Sequence, residues 1–217
     1  MPEGLRVITL ELGPFQEHTV LLIDPPSRET LVVDPGFEAR EVVATIHREG
    51  LCPVAIILTH GHIDHAFGAA ELKAAFPDAP LLLHPDDLPL YEGIPEQARL
   101  FGLPEPVLAH HDGLLEDRQT LRVGGMELEV RHCPGHSPGH VVLLSHDPDA
   151  PLAVVGDVLF SNAVGRTDLW GGSFEDLEHS IRTVLFVLPD ETRVIPGHGP
   201  ETTIGEEKQS NPYVAAL

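Results

Sequence analysis

Apolar positions divide the chain into short alternating elements. Residues 5–12, 19–24 and 30–33 are apolar or alternating over strand lengths, and a Pro-Pro-Ser-Arg-Glu turn joins the last two. Over residues 38–49 the period changes: Val42, Val43 and Ile46 share a helical face and Gly50 is the stop. Residues 54–58, Val-Ala-Ile-Ile-Leu, form a continuous, partly β-branched run that predicts a buried strand. Residues 66–76 predict a helix ended by Pro77, and residues 81–83 a short buried strand. The pattern weakens over residues 85–106, where short helices near 86–91 and 96–101 read as an ordinary connection rather than a cover. Residues 121–123 and 126–132 flank Gly124-Gly125, a hairpin signal. Strands follow at 141–145, 152–155 and 192–195. Residues 174–188 predict a helix, with Ser173 as N-cap and acids in its first turn. The alternation implies mixed α/β layering. No repeat, low-complexity tract or linker divides residues 1–217, so a single domain is expected.

Charge narrows the partners. The formal net charge is −21, and the 13 Lys and Arg are scattered. Such a surface repels phosphate backbones, so nucleic acid is not an expected partner. The two cysteines, Cys52 and Cys133, make no disulfide framework and suit a reduced compartment. The N-terminal residues lack a basic n-region and an apolar h-region, and no apolar run approaches the ~20 residues of a membrane span. A cytoplasmic protein with no membrane partner is the expectation.

The chemistry concentrates in residues 59–65, Thr-His-Gly-His-Ile-Asp-His, just past the strand over 54–58. In extended backbone His60 and His62 point to the same side. Imidazole with a neighbouring carboxylate suits divalent transition metals. The plain alternative is a solvated loop in a chain with 14 His. His136 lies in a Gly/Pro-bounded loop, and Asp157 and His198 each follow a predicted strand. Loops at one edge of a sheet converge, as a rigid scaffold presents a site. With His60, His62, Asp64 and His65 the inventory is five His and two Asp, enough for two divalent ions sharing one carboxylate and a water. Composition leaves the pairing open. Asp34 ends the third strand in Asp-Pro-Gly, either as a turn residue or as a carboxylate offered to a neighbouring loop. His110 and His111 are expected to be exposed and idle, and Cys133 to pack its loop.

These motifs resemble, in order, those of the metallo-β-lactamase superfamily: His60 to His65, Pro-Gly-His136, Gly-Asp157 and Gly-His198. Asp34-Pro35-Gly36, Gly165-Arg166-Thr167-Asp168 and Pro196-Gly197-His198-Gly199-Pro200 resemble in particular the short glyoxalase II-like (hydroxyacylglutathione hydrolase-like) bacterial proteins. The resemblance implies a four-layer αββα sandwich with two divalent metal ions, zinc foremost and iron or manganese as alternatives. It implies His60, His62 and His136 on one ion, Asp64, His65 and His198 on the other, and Asp157 bridging them. It places Asp34 and His140 behind the ligands, and Arg166 where the family has a lysine that contacts glutathione. The implied activity is hydrolysis of a small-molecule thioester, S-2-hydroxyacylglutathione, by a metal-bound hydroxide that Asp64 orients. A mononuclear-iron persulfide dioxygenase and a lactonase are the related alternatives. β-Lactamases usually place Cys where Asp157 stands, which disfavours that branch. Set against full-length glyoxalase II, the chain is expected to be without the C-terminal helical domain, since about twenty residues follow His198, and Gly199-Pro200 stand where that family has a tyrosine. It also has His18, expected in a turn, where Asn is usual.

Overall fold

The computed structural model describes residues 4–215; residues 1–3, part of the N-terminal segment read above, and residues 216–217 lie outside. The chain forms two compact units. One runs to Leu115 and includes Arg122–Met126; the other takes Glu116–Leu121 and continues from Glu127.

The first unit is built on one sheet: β1 (Arg6–Leu12), β2 (Glu17–Ile23), β3 (Glu29–Val33), β4 (Cys52–Ile57), β5 (Leu81–Leu83) and β6 (Gly113–Leu114), in that spatial order. β1 to β3 form an antiparallel meander and β3 to β6 are parallel. Parallel pairing needs crossovers, and α1 (Ala39–Glu49) supplies the first. Its apolar Val42 and Ile46 pack with Leu21, Ile23, Val32, Ile56 and Leu58. Because β3, β4 and β5 are parallel, Asp34, Thr59-His60 and His84 all emerge at the same sheet edge.

The helix expected over 66–76 is two helices, α2 (Ile63–Ala66) and α3 (Ala69–Ala75). The break has two local causes. Gly68 N–H donates to the Pro35 carbonyl at 2.9 Å, and the Phe67 ring stacks on Phe37 at 4.4 Å. α2 begins early, so Asp64 and His65 are helical rather than part of a loop. His18 is also corrected: it sits buried in β2, opposite Glu11 in register, not in a turn. A 3-10 turn (Pro85–Asp87), α4 (Leu88–Glu92) and α5 (Ile94–Leu100) fill the stretch where the pattern weakened.

The remaining strands are β7 (Thr120–Val123), β8 (Met126–His132), β9 (Val141–Ser145), β10 (Leu152–Gly156), β11 (Leu159–Phe160), β12 (Ala163–Val164), β13 (Arg193–Pro196) and β14 (Thr202–Thr203); all but the hairpin residues Arg122–Met126 belong to the second unit. Its main sheet has the order β14-β13-β10-β9-β8-β7, and β11 pairs with β12 apart from it. β10 and β13 are parallel, so Asp157 and His198 leave neighbouring strands at the same end. α6 (Phe174–Ser180) continues as a π-helical turn, Ile181–Leu185, where one α-helix was expected. α7 (Ile204–Ser210) closes the unit. Ser173 caps α6 as expected, accepting from Asp176 N at 3.2 Å. Ser173→Ala should cost about 1 kcal/mol; an unchanged urea midpoint would show that the cap carries nothing.

Candidate functional site

In the first unit, the end of β3 and the end of β4 are locked by one carboxylate. Asp34, buried and with φ +50°, accepts from Thr59 N–H at 2.7 Å, from the Thr59 hydroxyl at 2.6 Å, and from His65 Nδ1–H at 2.9 Å. The Thr59 hydroxyl gives its only proton to Asp34, so its 3.0 Å contact with His60 Nδ1 must be donated by the ring. Both imidazoles are thereby held with Nδ1 protonated and the Nε2 lone pair available to a metal. Their rings lie 4.2 Å apart between centroids, with His62 4.8 Å from His60 and edge-on to it. Asp64 Oδ2 is 3.9 Å from His65 Nε2. His60, His62, Asp64 and His65 thus form one cluster, with Asp34 behind it. Sequence reasoning offered Asp34 as a choice between turn and partner, and the partner role is the one observed. It gave Thr59 no role, and no pattern would have assigned one, since the contact partner is 25 residues away.

In the second unit the loop after β8 brings His136 beside Asp157. His136 Nε2 lies 3.6 Å from Asp157 Oδ2, and His198 Nε2 lies 3.7 Å from Asp157 Oδ1. His136 Nδ1–H donates to the Arg166 carbonyl at 2.8 Å, again leaving Nε2 as the lone-pair nitrogen. His140 accepts Asp157 N–H on Nε2 at 3.1 Å, so it holds the backbone of the bridging candidate. Gly165 has no room for a side chain: a Cβ there would strike the Asp157 carbonyl oxygen and press on His136 Nδ1. The Arg166 side chain is exposed and forks onto Asp168 at 2.8 and 2.9 Å. Asp168 holds the guanidinium above its ordinary pKa, and Arg166 holds the Asp168 carboxyl below its own.

A carboxylate with an imidazole on each oxygen, and lone-pair nitrogens fixed by partners on Nδ1, suit divalent zinc, iron or manganese. His111 departs from expectation: it is half-buried and stacks on His110 at 5.0 Å. Cys133 is buried, and desolvation pushes its thiol well above the usual range, whereas Cys52 is exposed. One thiol per folded chain should therefore react with an aromatic disulfide reagent, and both in denaturant; reaction of both in the folded chain would contradict the burial. Among the described residues no helix is long and apolar enough to cross a membrane.

The chain is similar to known proteins over nearly its whole length. It is 39% identical over 216 residues to the hydroxyacylglutathione hydrolase GloC of Haemophilus influenzae, covering 97% of this chain and 98% of that one. Among solved structures, the BLEG-1 B3 metallo-β-lactamase superposes with a TM-score of 0.86 at 35% identity, over 97% of this chain and 100% of that one. TTHA1623, solved in a di-iron-bound form, gives 0.83 at 42% identity, over 95% and 99%. A family model for the metallo-β-lactamase superfamily matches residues 12–198. The α/β fold implied by the motifs is the fold of these neighbours. On its sequence and its fold, the chain belongs to the metallo-β-lactamase superfamily.

Proposed function

We propose that this chain is a two-metal hydrolase of thioesters, with S-2-hydroxyacylglutathione as its substrate class. One observation supports the two-metal part: each oxygen of Asp157 faces its own imidazole Nε2, at 3.6 and 3.7 Å, an arrangement that suits a carboxylate shared by two cations. In this reading, which follows the family resemblance, His60, His62 and His136 are the candidate ligands of one ion and Asp64, His65 and His198 those of the other. Asp157 serves both. Zinc is the foremost candidate, with iron or manganese as alternatives. The likeness to GloC over nearly the full chain supports the substrate class.

When bound, the ions supply Lewis acidity and lower the pKa of a water from 15.7 to about 7. The chain's own groups do the rest. Asp64, half-buried, accepts a hydrogen bond from the attacking water and orients it. Asp34 and Thr59 keep the Nε2 atoms of His65 and His60 turned outward through their Nδ1 protons. Water adds across the acyl C–S bond: its oxygen joins the carbonyl carbon, the C–S bond breaks, and the sulfur leaves as thiol with the proton. No Ser or Cys nucleophile takes part, and Cys133 is buried with its thiol protonated. Arg166 offers an exposed guanidinium to a glutathione carboxylate, in exchange for Asp168.

The 35% identity to BLEG-1 supports β-lactam hydrolysis as a second reading of the same groups. A panel separates the readings: S-lactoylglutathione, other acyl thioesters, a lactone, a chromogenic cephalosporin, and glutathione persulfide with oxygen consumption. Metal-loaded protein is expected to turn over the glutathione thioester fastest. No hydrolysis of any acyl thiol would overturn the proposal, and oxygen consumption with one iron would replace it by the dioxygenase.

A further inference from the structure

Three consecutive peptide groups run from His60 to Ile63, and two side chains from a distant stretch hold all three. The Gly61 N–H donates to Asp87 Oδ2 at 2.8 Å. The Gly61 carbonyl accepts from Gln97 Nε2 at 3.3 Å, and the Ile63 N–H donates to Gln97 Oε1 at 2.9 Å. Gln97 Nε2 also donates to the Leu90 carbonyl at 2.9 Å, so the amide has only one workable orientation. His62 is the N-cap residue of α2, in extended backbone (φ −74°, ψ 151°), yet its own side chain makes no cap bond. Gln97 accepts the Ile63 N–H, one of the first-turn donors that a helix cannot satisfy internally. Space is equally constrained: a Cβ on Gly61 would lie 2.7 Å from Tyr91 N and 3.0 Å from the Asp87 carbonyl. Asp87 is fully buried, and a buried carboxylate is costly unless it has a specific partner.

We propose that Asp87 and Gln97 are positioning residues for the metal loop, and that residues 85–100 form its brace rather than an ordinary connection. This rests on the metal-binding part of the function proposed above. Asp87 fixes the peptide between His60 and Gly61, and Gln97 fixes both peptides around His62. The brace therefore sets where the two imidazoles stand before any ion arrives. This lowers the ordering cost of binding, as outer partners of metal ligands do.

The test compares Asp87→Ala, Asp87→Asn and Gln97→Ala with the unaltered chain. Zinc affinity is read by chelator competition, and amide hydrogen exchange at Gly61 and Ile63 is read on metal-free protein. Asp87→Ala is expected to weaken zinc binding about 10–100-fold and to speed exchange at Gly61. Asp87→Asn keeps an acceptor oxygen and should restore both. Gln97→Ala should speed exchange at Ile63 and also weaken zinc, and it decides the matter if Asp87→Ala does not fold. Unchanged zinc affinity in the folded variants, even with lowered Tm, would overturn the proposal by showing a merely structural role. Unchanged protection of both amides would overturn it too. Both readouts are independent of thioester turnover. If the chain binds zinc tightly but hydrolyses no thioester, the substrate reading fails, and a loss of affinity in Asp87→Ala still supports the brace.

Discussion

Asp157→Ala is expected to remove nearly all hydrolysis while leaving the fold in place. The bridging role is asked to supply several kcal/mol, so kcat/KM should fall about 1000-fold or more at ~1.4 kcal/mol per tenfold. The fold should persist, because the Asp157 N–H that His140 accepts belongs to the backbone and survives the change. Metal content should fall below two ions per chain, since His136 and His198 lose the carboxylate that each faces at 3.6 and 3.7 Å. Kinetics on a glutathione thioester, with metal analysis of the same sample, check both parts. A variant with two ions and near-normal kcat/KM would remove Asp157 from the mechanism.

Asp34→Ala should act on stability and on metal binding together. It strips the acceptor from three buried donors: Thr59 N–H, the Thr59 hydroxyl and His65 Nδ1–H. Leaving such groups unsatisfied costs about 3 kcal/mol or more. For a chain of 217 residues that is a fall in Tm of about 6–12 °C. Metal affinity should fall about 10–100-fold as well, because His65 loses its Nδ1 partner and the Thr59 hydroxyl, freed from Asp34, no longer fixes the tautomer of His60. Asp34→Asn separates the two effects. Asn tolerates the φ of +50° and can still accept from Thr59 N–H, but its amide meets the other two donors with hydrogens. It should therefore recover part of the stability and little of the metal affinity. Calorimetry and chelator competition on both variants measure this, and equal Tm for Asp34→Ala and the unaltered chain would contradict it.

Much of this was legible in the residues, for identifiable reasons. His60, His62, Asp64 and His65 stand out because four donor groups fall within six positions, directly after an apolar run that reads as a buried strand. β2, β9 and β10 are visible as apolar runs because they bury both faces throughout. β6, β11, β12 and β14 have two residues each, too few to show any period. α7 did leave a signal: Thr203 and Glu206 stand three apart, as in a capping box, and Thr203 Oγ1 accepts from Glu206 N at 3.2 Å. Two groups that hold residues 61–63 were not legible at all. Gln97 is an ordinary polar residue on a short helix, and Asp87 reads as a turn acid. Their partners lie 26 to 36 positions away, and only the fold brings them to Gly61 and Ile63.

Two ions acting together on a thioester should be visible in a titration of metal-free protein with zinc, followed by S-lactoylglutathione hydrolysis. Activity should rise with the metal and reach its plateau at two equivalents per chain; a plateau at one equivalent, or no hydrolysis at any loading, would contradict the account.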